Sequence, residues 1–212
     1  MAERSPTLEL LVLFVVVFAI QSLFRLLPAI PATLLFALGP DFLGRPWTLV
    51  TSVYAHASIP HLVSNAVALA LVGFVLEQYT TRRRFHIFFL VTGVVAGLVE
   101  VLLGGFTAVL FGGRVPLVLG ASGAVFALYG YVLTSNRITD TLAEALSIPP
   151  RIGLALFVLV AAIVTVATGS PGVALLAHFT GLLLGLIAGR LGLLDVDARR
   201  EPRPRPETQR FN

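Results

Sequence analysis

The sequence predicts an all-α membrane protein, a bundle of six transmembrane helices, and three observations carry that expectation. Hydrophobic residues make up 57% of the 212-residue chain and the mean hydropathy is +0.92, whereas soluble domains hold about 45–50% apolar residues. Several apolar stretches are long enough to cross a hydrocarbon core about 30 Å thick, which takes about 20 helical residues. The period-2 alternation that a membrane barrel requires is absent.

The predicted spans run from Leu8 to Leu27, His61 to about Leu76, Phe85 to about Leu103, Ser122 to about Leu133, Ile152 to about Ala167, and Val173 to about Leu194. The first exceeds the usual apolar region of a signal peptide and lacks a small-x-small cleavage site, so it reads as a retained span. Between the first two lies a segment from Pro28 to Pro60 with Pro, Gly, Asp41, Arg45 and Trp47. It is too polar and broken to span, and its Trp favours the interface. The core domain is expected over 1–194. From Asp195 the chain alternates charge with Pro and has little to bury, which predicts a disordered cytoplasmic tail over 195–212.

A formal charge of +4 and a pI near 10.3 would point to nucleic acid in a soluble protein. Here the basic residues sit mainly in loops and the tail, where they act as topology signals, and no nucleic-acid partner is expected. With a cytoplasmic N-terminus, the inside receives Arg4, Arg82, Arg83, Arg84, Arg137, Arg151, Arg190 and the five tail arginines, against Arg25, Arg45 and Arg114 outside. That asymmetry puts both termini in the cytoplasm and runs spans two, four and six from outside to inside. There are no cysteines, which excludes disulfides, thiolate catalysis and cysteine-bound metals. No phosphate loop or metal-ligand cluster is visible, so no cofactor and no metal are expected.

Polar residues inside spans are costly and mark function. His61 and Asn65 open span two at i and i+4 and share a helix face. Ser122 opens span four within Gly120-Ala121-Ser122-Gly123, and His178 lies about one turn inside span six, in Ala177-His178-Phe179-Thr180-Gly181. The three spans run in one direction, so these residues can converge near the outer surface. Span four is short for the bilayer, which sets Ser122 about 10 Å below that surface. Non-helical backbone around Val118 to Ala121 is tolerable there only if buried in protein or lining a water-filled cavity.

A serine hydroxyl becomes nucleophilic when a base takes its proton, and the neutral imidazole of His178 is the candidate base. The Asn65 amide, the His61 ring and the free N–H groups at the start of span four are candidate oxyanion donors. No carboxylate is evident to orient the histidine, which makes this a dyad. Taken singly, each residue has a structural alternative. A lone Ser among Gly120, Gly123 and Gly130 is usually a packing residue, and a membrane His or Asn is commonly interhelical glue. The Gly181-Leu-Leu-Leu-Gly185 pattern is foremost a packing motif that would bring span six against span four.

Together the motifs from about Trp47 to Gly185 resemble the rhomboid family. Thr51-Ser-Val-Tyr-Ala-His56-Ala-Ser-Ile-Pro-His61-Leu-Val-Ser-Asn65 is similar to the family's loop and second helix, and Glu77 resembles a recurrent acidic residue. Gly120-Ala-Ser122-Gly123 resembles the nucleophile motif, with Phe126 at the place of an aromatic that packs on the catalytic His. Ala177-His178-Phe-Thr-Gly181 resembles the base motif. One departure is that Arg45-Pro46 precedes Trp47 and Thr48 follows it, where the family often has Trp-Arg. The resemblance implies a six-helix rhomboid-like bundle in its minimal form, in the plasma membrane of a prokaryote. It also implies a cofactor-free serine endopeptidase with a Ser122–His178 dyad, His61 and Asn65 at the oxyanion, and Gly120, Gly123, Phe126 and Gly181 in support. Its partners would be the lipid bilayer and transmembrane protein substrates, cut within or beside their membrane segments, with the oligomeric state left open. The alternative on the same fold is a catalytically inactive rhomboid-like protein that binds membrane helices. A transporter would carry polar groups near the bilayer midplane in related halves, and the sequence shows neither.

Overall fold

The structure is a computed structural model that describes residues 4–26, 31–135, 152, 155, 159, 163 and 174–195. Helix α1 (Pro6–Leu26) opens with Pro at its first position, where the missing N–H costs nothing. The segment after it holds two short helices, α2 (Ala32–Phe36) and α3 (Thr48–Tyr54), tied together by Thr51 Oγ1 donating to Leu35 O at 2.7 Å. Then come α4 (Ile59–Leu76), α5 (Arg82–Phe111), α6 (Ser122–Thr134) and α7 (Leu175–Arg190).

Helix direction follows from the polar contacts at the ends. The Glu77 carboxylate at the end of α4 accepts from Ser5 Oγ at 2.7 and 2.9 Å and from the first-turn N–H of Thr7 at 3.1 Å. Glu9, also in the first turns of α1, accepts from Arg82 Nε at 2.7 Å and meets His86 Nε2 at 2.8 Å. The start of α1, the end of α4 and the start of α5 therefore share one end of the bundle. At the other end, Arg25 Nη2 donates to His56 O at 3.1 Å, and His56 N donates to Gln21 Oε1 at 3.1 Å. That joins the end of α1 to the start of α4.

The central element is α6. Most of its residues are buried, and Val125, Leu128 and Tyr131 pack with Leu10, Phe14, Leu69, Val72, Phe85 and Phe89 from α1, α4 and α5. On its other side α7 lies so close that backbone touches backbone. Gly181 sits on Gly123, Gly185 on Ala127, and Gly189 on the Tyr131 carbonyl and Thr134 hydroxyl, while Gly130 faces Leu182 and Leu186. The partners advance together along both helices, so α6 and α7 are parallel. Thr134 Oγ1 locks the pair by donating to Leu186 O at 2.8 Å. Small residues at such a seam let helices approach where lipid supplies no hydrophobic drive between them.

Large apolar side chains such as Val12, Val15, Leu23, Val67, Leu71, Ile87 and Val91 face outward, as lipid-facing residues do. The protein is an integral, multi-pass membrane protein. Six spans were expected, and among the described residues three helices, α1, α4 and α5, are long and apolar enough to cross a membrane. The physical reason is length. The 13 residues of α6 and 16 of α7 extend about 20 and 24 Å at 1.5 Å per residue, less than a roughly 30 Å core. The expected span from Ile152 to Ala167 lies outside the described residues except for four helical positions. Helix α5 is longer than its predicted span, 30 residues ending at Phe111. Asp195, at the start of the expected tail, accepts from Tyr131 Oη at 2.7 Å; the rest of the tail, 196–212, lies outside the described residues.

The seam gives a direct test. A methyl group on Gly181 or Gly185 would run into the carbonyl of Gly123 or Ala127, and overpacking of this kind costs about 1–3 kcal/mol. Gly181→Ala and Gly185→Ala should each lower the midpoint of thermal unfolding in detergent, and an unchanged midpoint in both would contradict the backbone contact.

Candidate active site

Ser122 is the first residue of α6, and the chain reaches it by a non-helical approach from Gly112. Residues 112–115 and Leu117 of that approach are exposed, and only its last part sinks into the protein, with Val118 and Ala121 buried and Leu119 and Gly120 half-buried; there its polar backbone needs partners within the protein. Leu38 and Val118 exchange a pair of backbone hydrogen bonds at 2.8 Å each, and Gly120 N donates to Ser52 O at 2.8 Å. Gly120 has φ of +132°, a backbone region open to glycine and strained for other residues. The N-cap position, Ala121, offers no side-chain acceptor, and the first intrahelical bond runs from Val125 N to Ala121 O. The N–H groups of Ser122, Gly123 and Ala124 precede that bond and lie in the helix's unsatisfied first turn.

His61 reaches the same loop from α4. Ser58 Oγ accepts from His61 N at 3.3 Å, and Pro60 occupies the first turn, so the helix starts with its third residue already presenting the ring. A Cβ on Gly120 would fall 2.7 Å from His61 Cε1 and 2.9 Å from Nε2. The glycine therefore makes room for the imidazole as well as for the turn. His61 Nδ1 accepts from Ala57 N at 3.4 Å, which assigns the neutral ring's proton to Nε2, the nitrogen beside Gly120. Asn65 is buried one turn on, and its Nδ2 donates to His61 O at 2.9 Å. One amide N–H thus serves its own helix and the second remains for another acceptor. The His56 ring, fully buried, packs between Phe14 and His61 with centroids at 4.9 and 5.3 Å.

His178 comes from the first turn of α7. Its ring stacks on Phe126 with centroids 4.4 Å apart and planes 25° from parallel. The Gly181–Gly123 contact, together with the Ala177 carbonyl lying beside Gly123, sets the first turn of α7 against the first turn of α6. Ser122 and His178 therefore belong to facing turns. No hydrogen bond joins them among the described residues, and His178 Nδ1 is buried without a partner. The structure brings Ser122, His178, His61, Gly120, Gly123, Phe126 and Gly181 into one region at one end of the bundle, with Asn65 a turn deeper. Among the described residues there is no group of His, Asp or Glu arranged to hold a metal ion.

Two residues gain partners that sequence reading left open. Arg45 Nε donates to Asp41 Oδ2 at 2.7 Å within the loop, and this guanidinium holds the Asp41 carboxyl below its ordinary range. Glu100, inside the predicted apolar span of α5, accepts from Ala177 N at 2.9 Å, next to His178 in sequence. The signal that could have singled it out is the cost of a carboxylate in a membrane helix.

Fold and site define a multi-pass helical membrane protein with a serine, two histidines and an asparagine gathered at one end of its helices. The profile of the Rhomboid domain matches residues 43–194, and the chain belongs to the rhomboid family of intramembrane proteins. It is 31% identical to "Rhomboid protease GluP" of Bacillus subtilis (strain 168) over 44% of its length. It is 28% identical to "RHOMBOID-like protein 1" of Arabidopsis thaliana over 66%, and 37% identical to "Rhomboid-related protein 3" of Homo sapiens over 42%. These matches span 17%, 34% and 20% of the respective relatives, so the chain aligns with less than half of each.

The His61–Gly120 contact predicts the effect of Gly120→Ala. Backbone strain and the collision with the ring should together cost about 1–3 kcal/mol. Thermal unfolding in detergent reads this, and a variant as stable as the wild type would mean that His61 does not rest on the loop.

Proposed function

We propose that this chain is an intramembrane serine protease that hydrolyses peptide bonds in or beside transmembrane segments of membrane proteins, with Ser122 as nucleophile and His178 as general base. The observation that carries the reading is the stacked Phe126–His178 pair on the turn of α7 that faces Ser122. A ring held flat on an aromatic has its plane fixed, one of the constraints that a positioned base needs. Nucleophile and base hydrogen bonds are often long until substrate tightens them, and substrate binding would close the Ser122–His178 bond in this scheme. The name of the Bacillus subtilis relative contains the word protease, which agrees with it.

In the proposed reaction His178 takes the proton of Ser122 Oγ as that oxygen attacks the scissile carbonyl carbon. The carbonyl oxygen becomes an oxyanion. Its donors are the unsatisfied N–H groups at the start of α6, His61 Nε2–H beside Gly120, and the second amide hydrogen of Asn65. Collapse of the intermediate breaks the C–N bond, and His178 returns the proton to the departing amine. Water then attacks the acyl group on Ser122 by the same proton route. Asn65 and His61 serve the transition state under this scheme, since the oxyanion exists only there. The Arg distribution, with Arg82, Arg83 and Arg84 at the bundle end opposite Ser122, orients that opposite end and both termini toward the cytoplasm.

Three outcomes test this. A fluorophosphonate probe should label wild-type protein at Ser122 and leave Ser122→Ala and His178→Ala unlabelled, and the same two variants should fail to cleave a model transmembrane substrate while still folding. Absence of labelling and cleavage in the folded wild type would favour the inactive helix-binding alternative. Asn65→Ala should lower kcat by about 10²–10³ with little change in KM; normal kcat per folded molecule with a lowered melting point would make Asn65 structural. Reporter fusions should place the end of the chain after Asp195 in the cytoplasm, and an external reporter would reverse the orientation.

A further inference from the structure

We infer that Glu100 is the positioning residue of His178, acting as an N-cap supplied to α7 by a different helix. The inference rests on the dyad proposed above and adds a component to it. Helix α7 begins at Leu175 with Ala174 as its N-cap, and Ala174 has no side-chain acceptor to offer. The helix's first internal bond is His178 N to Ala174 O at 3.1 Å, so the amide of Ala177 belongs to the unsatisfied first turn. In water such an N–H would be hydrated. Within a membrane bundle it needs a protein partner, and an unmet buried donor is costly. Glu100 Oε2, on α5, fills the position at 2.9 Å. This is the geometry by which a capping carboxylate serves the third residue of a helix, except that the acceptor comes from another element.

The carboxylate has a made place. A Cβ on Gly104, one turn along α5, would stand 3.5 Å from Glu100 Oε1 and 2.9 Å from the Pro116 ring, so glycine leaves the pocket open. The other half of the Ala177 residue is held as well: its carbonyl oxygen lies beside Gly123 of α6, 3.4 Å from where a Cβ would stand. The residue that precedes His178 is thus bonded on its N–H to α5, while its carbonyl packs against α6. The imidazole lacks comparable fixing of its own. Its Nδ1 has no partner among the described residues, and stacking on Phe126 constrains the ring plane while leaving sliding within that plane open. Backbone placement at Ala177 therefore decides how far the ring stands from Ser122. Glu100 accomplishes through the main chain what a third member of a catalytic triad accomplishes through the ring.

The test compares Glu100→Gln, which keeps an acceptor oxygen, with Glu100→Met, which has similar volume and none. Three readouts are taken in detergent: hydrogen exchange at the Ala177 amide, the rate of fluorophosphonate labelling at Ser122, and kcat and KM per folded molecule on a model transmembrane substrate. Glu100→Met should expose the Ala177 amide to exchange and lower labelling rate and kcat by about 10- to 100-fold with KM little changed, the size expected when a reacting group is displaced by about 1 Å. Glu100→Gln should restore all three. Wild-type labelling and kcat in Glu100→Met would overturn the positioning role and leave the protease reading standing. Equal damage from Gln and Met would overturn it too, since charge and not the hydrogen bond would then matter. A wild type that takes no probe at Ser122 would remove the protease reading and the role together. Should Glu100→Met not fold, exchange in the wild type decides alone: an Ala177 amide that exchanges as fast as that of Leu175 rules the cap out.

Discussion

Gly181 and Gly185 let the backbone of α7 lie directly on that of α6, and the arrangement of polar groups at the Ser122 end depends on that contact. A side chain at either position would push the helices apart by the width of a methyl group, and His178 would leave the turn of Ser122. The parallel register matters as much as the distance. With first turn against first turn, Phe126 stands under the His178 ring, and the Ala177 backbone comes within reach of both Gly123 and Glu100. The seam is then fixed further along by Thr134 donating to Leu186 O.

A bilayer makes the second constraint. Every backbone donor and acceptor that leaves helical geometry inside the protein has to find a partner within it. The loop into Ser122 meets this with the Leu38–Val118 pair and the Gly120–Ser52 bond, which also hold the loop's shape. The segment between α1 and α4 thereby serves as a scaffold for the site as well as a connector. His56 shows the same economy: its backbone N–H and carbonyl tie α1 to the start of α4, while its ring fills space between Phe14 and His61.

Much of this was legible in the residues, for identifiable reasons. The i,i+4 spacing of His61 and Asn65 at the start of an apolar run puts them one turn apart by helical period alone, so that placement needed nothing distant. The short α6 was visible as a short apolar run before polar residues, and the small residues of Gly181-Leu-Leu-Leu-Gly185 announced a close approach. The count of membrane-length helices was less legible, because apolar composition marks a segment as fit for lipid without stating where the hydrogen-bonded helix begins and ends. Thus α5 runs on to Phe111, and α6 and α7 fall short of full spanning length. Glu100 escaped because its partner, the Ala177 amide, lies on a different helix far along the chain, and no local pattern couples them.

The sequence by itself determined that the chain is a helical membrane protein, which polar residues stand at the starts of α4, α6 and α7, and that glycine would be required where helices touch. These follow from composition, helical period and short residue patterns, all of which act over a few residues. Tertiary structure alone decided which glycine meets which carbonyl, that the His61 Nε2 lies beside Gly120, that one hydrogen of the Asn65 amide is committed to His61 O, and that a carboxylate on α5 caps α7. Those outcomes depend on the register between helices, set by many packing contacts together, and the chemistry of any one segment does not contain it.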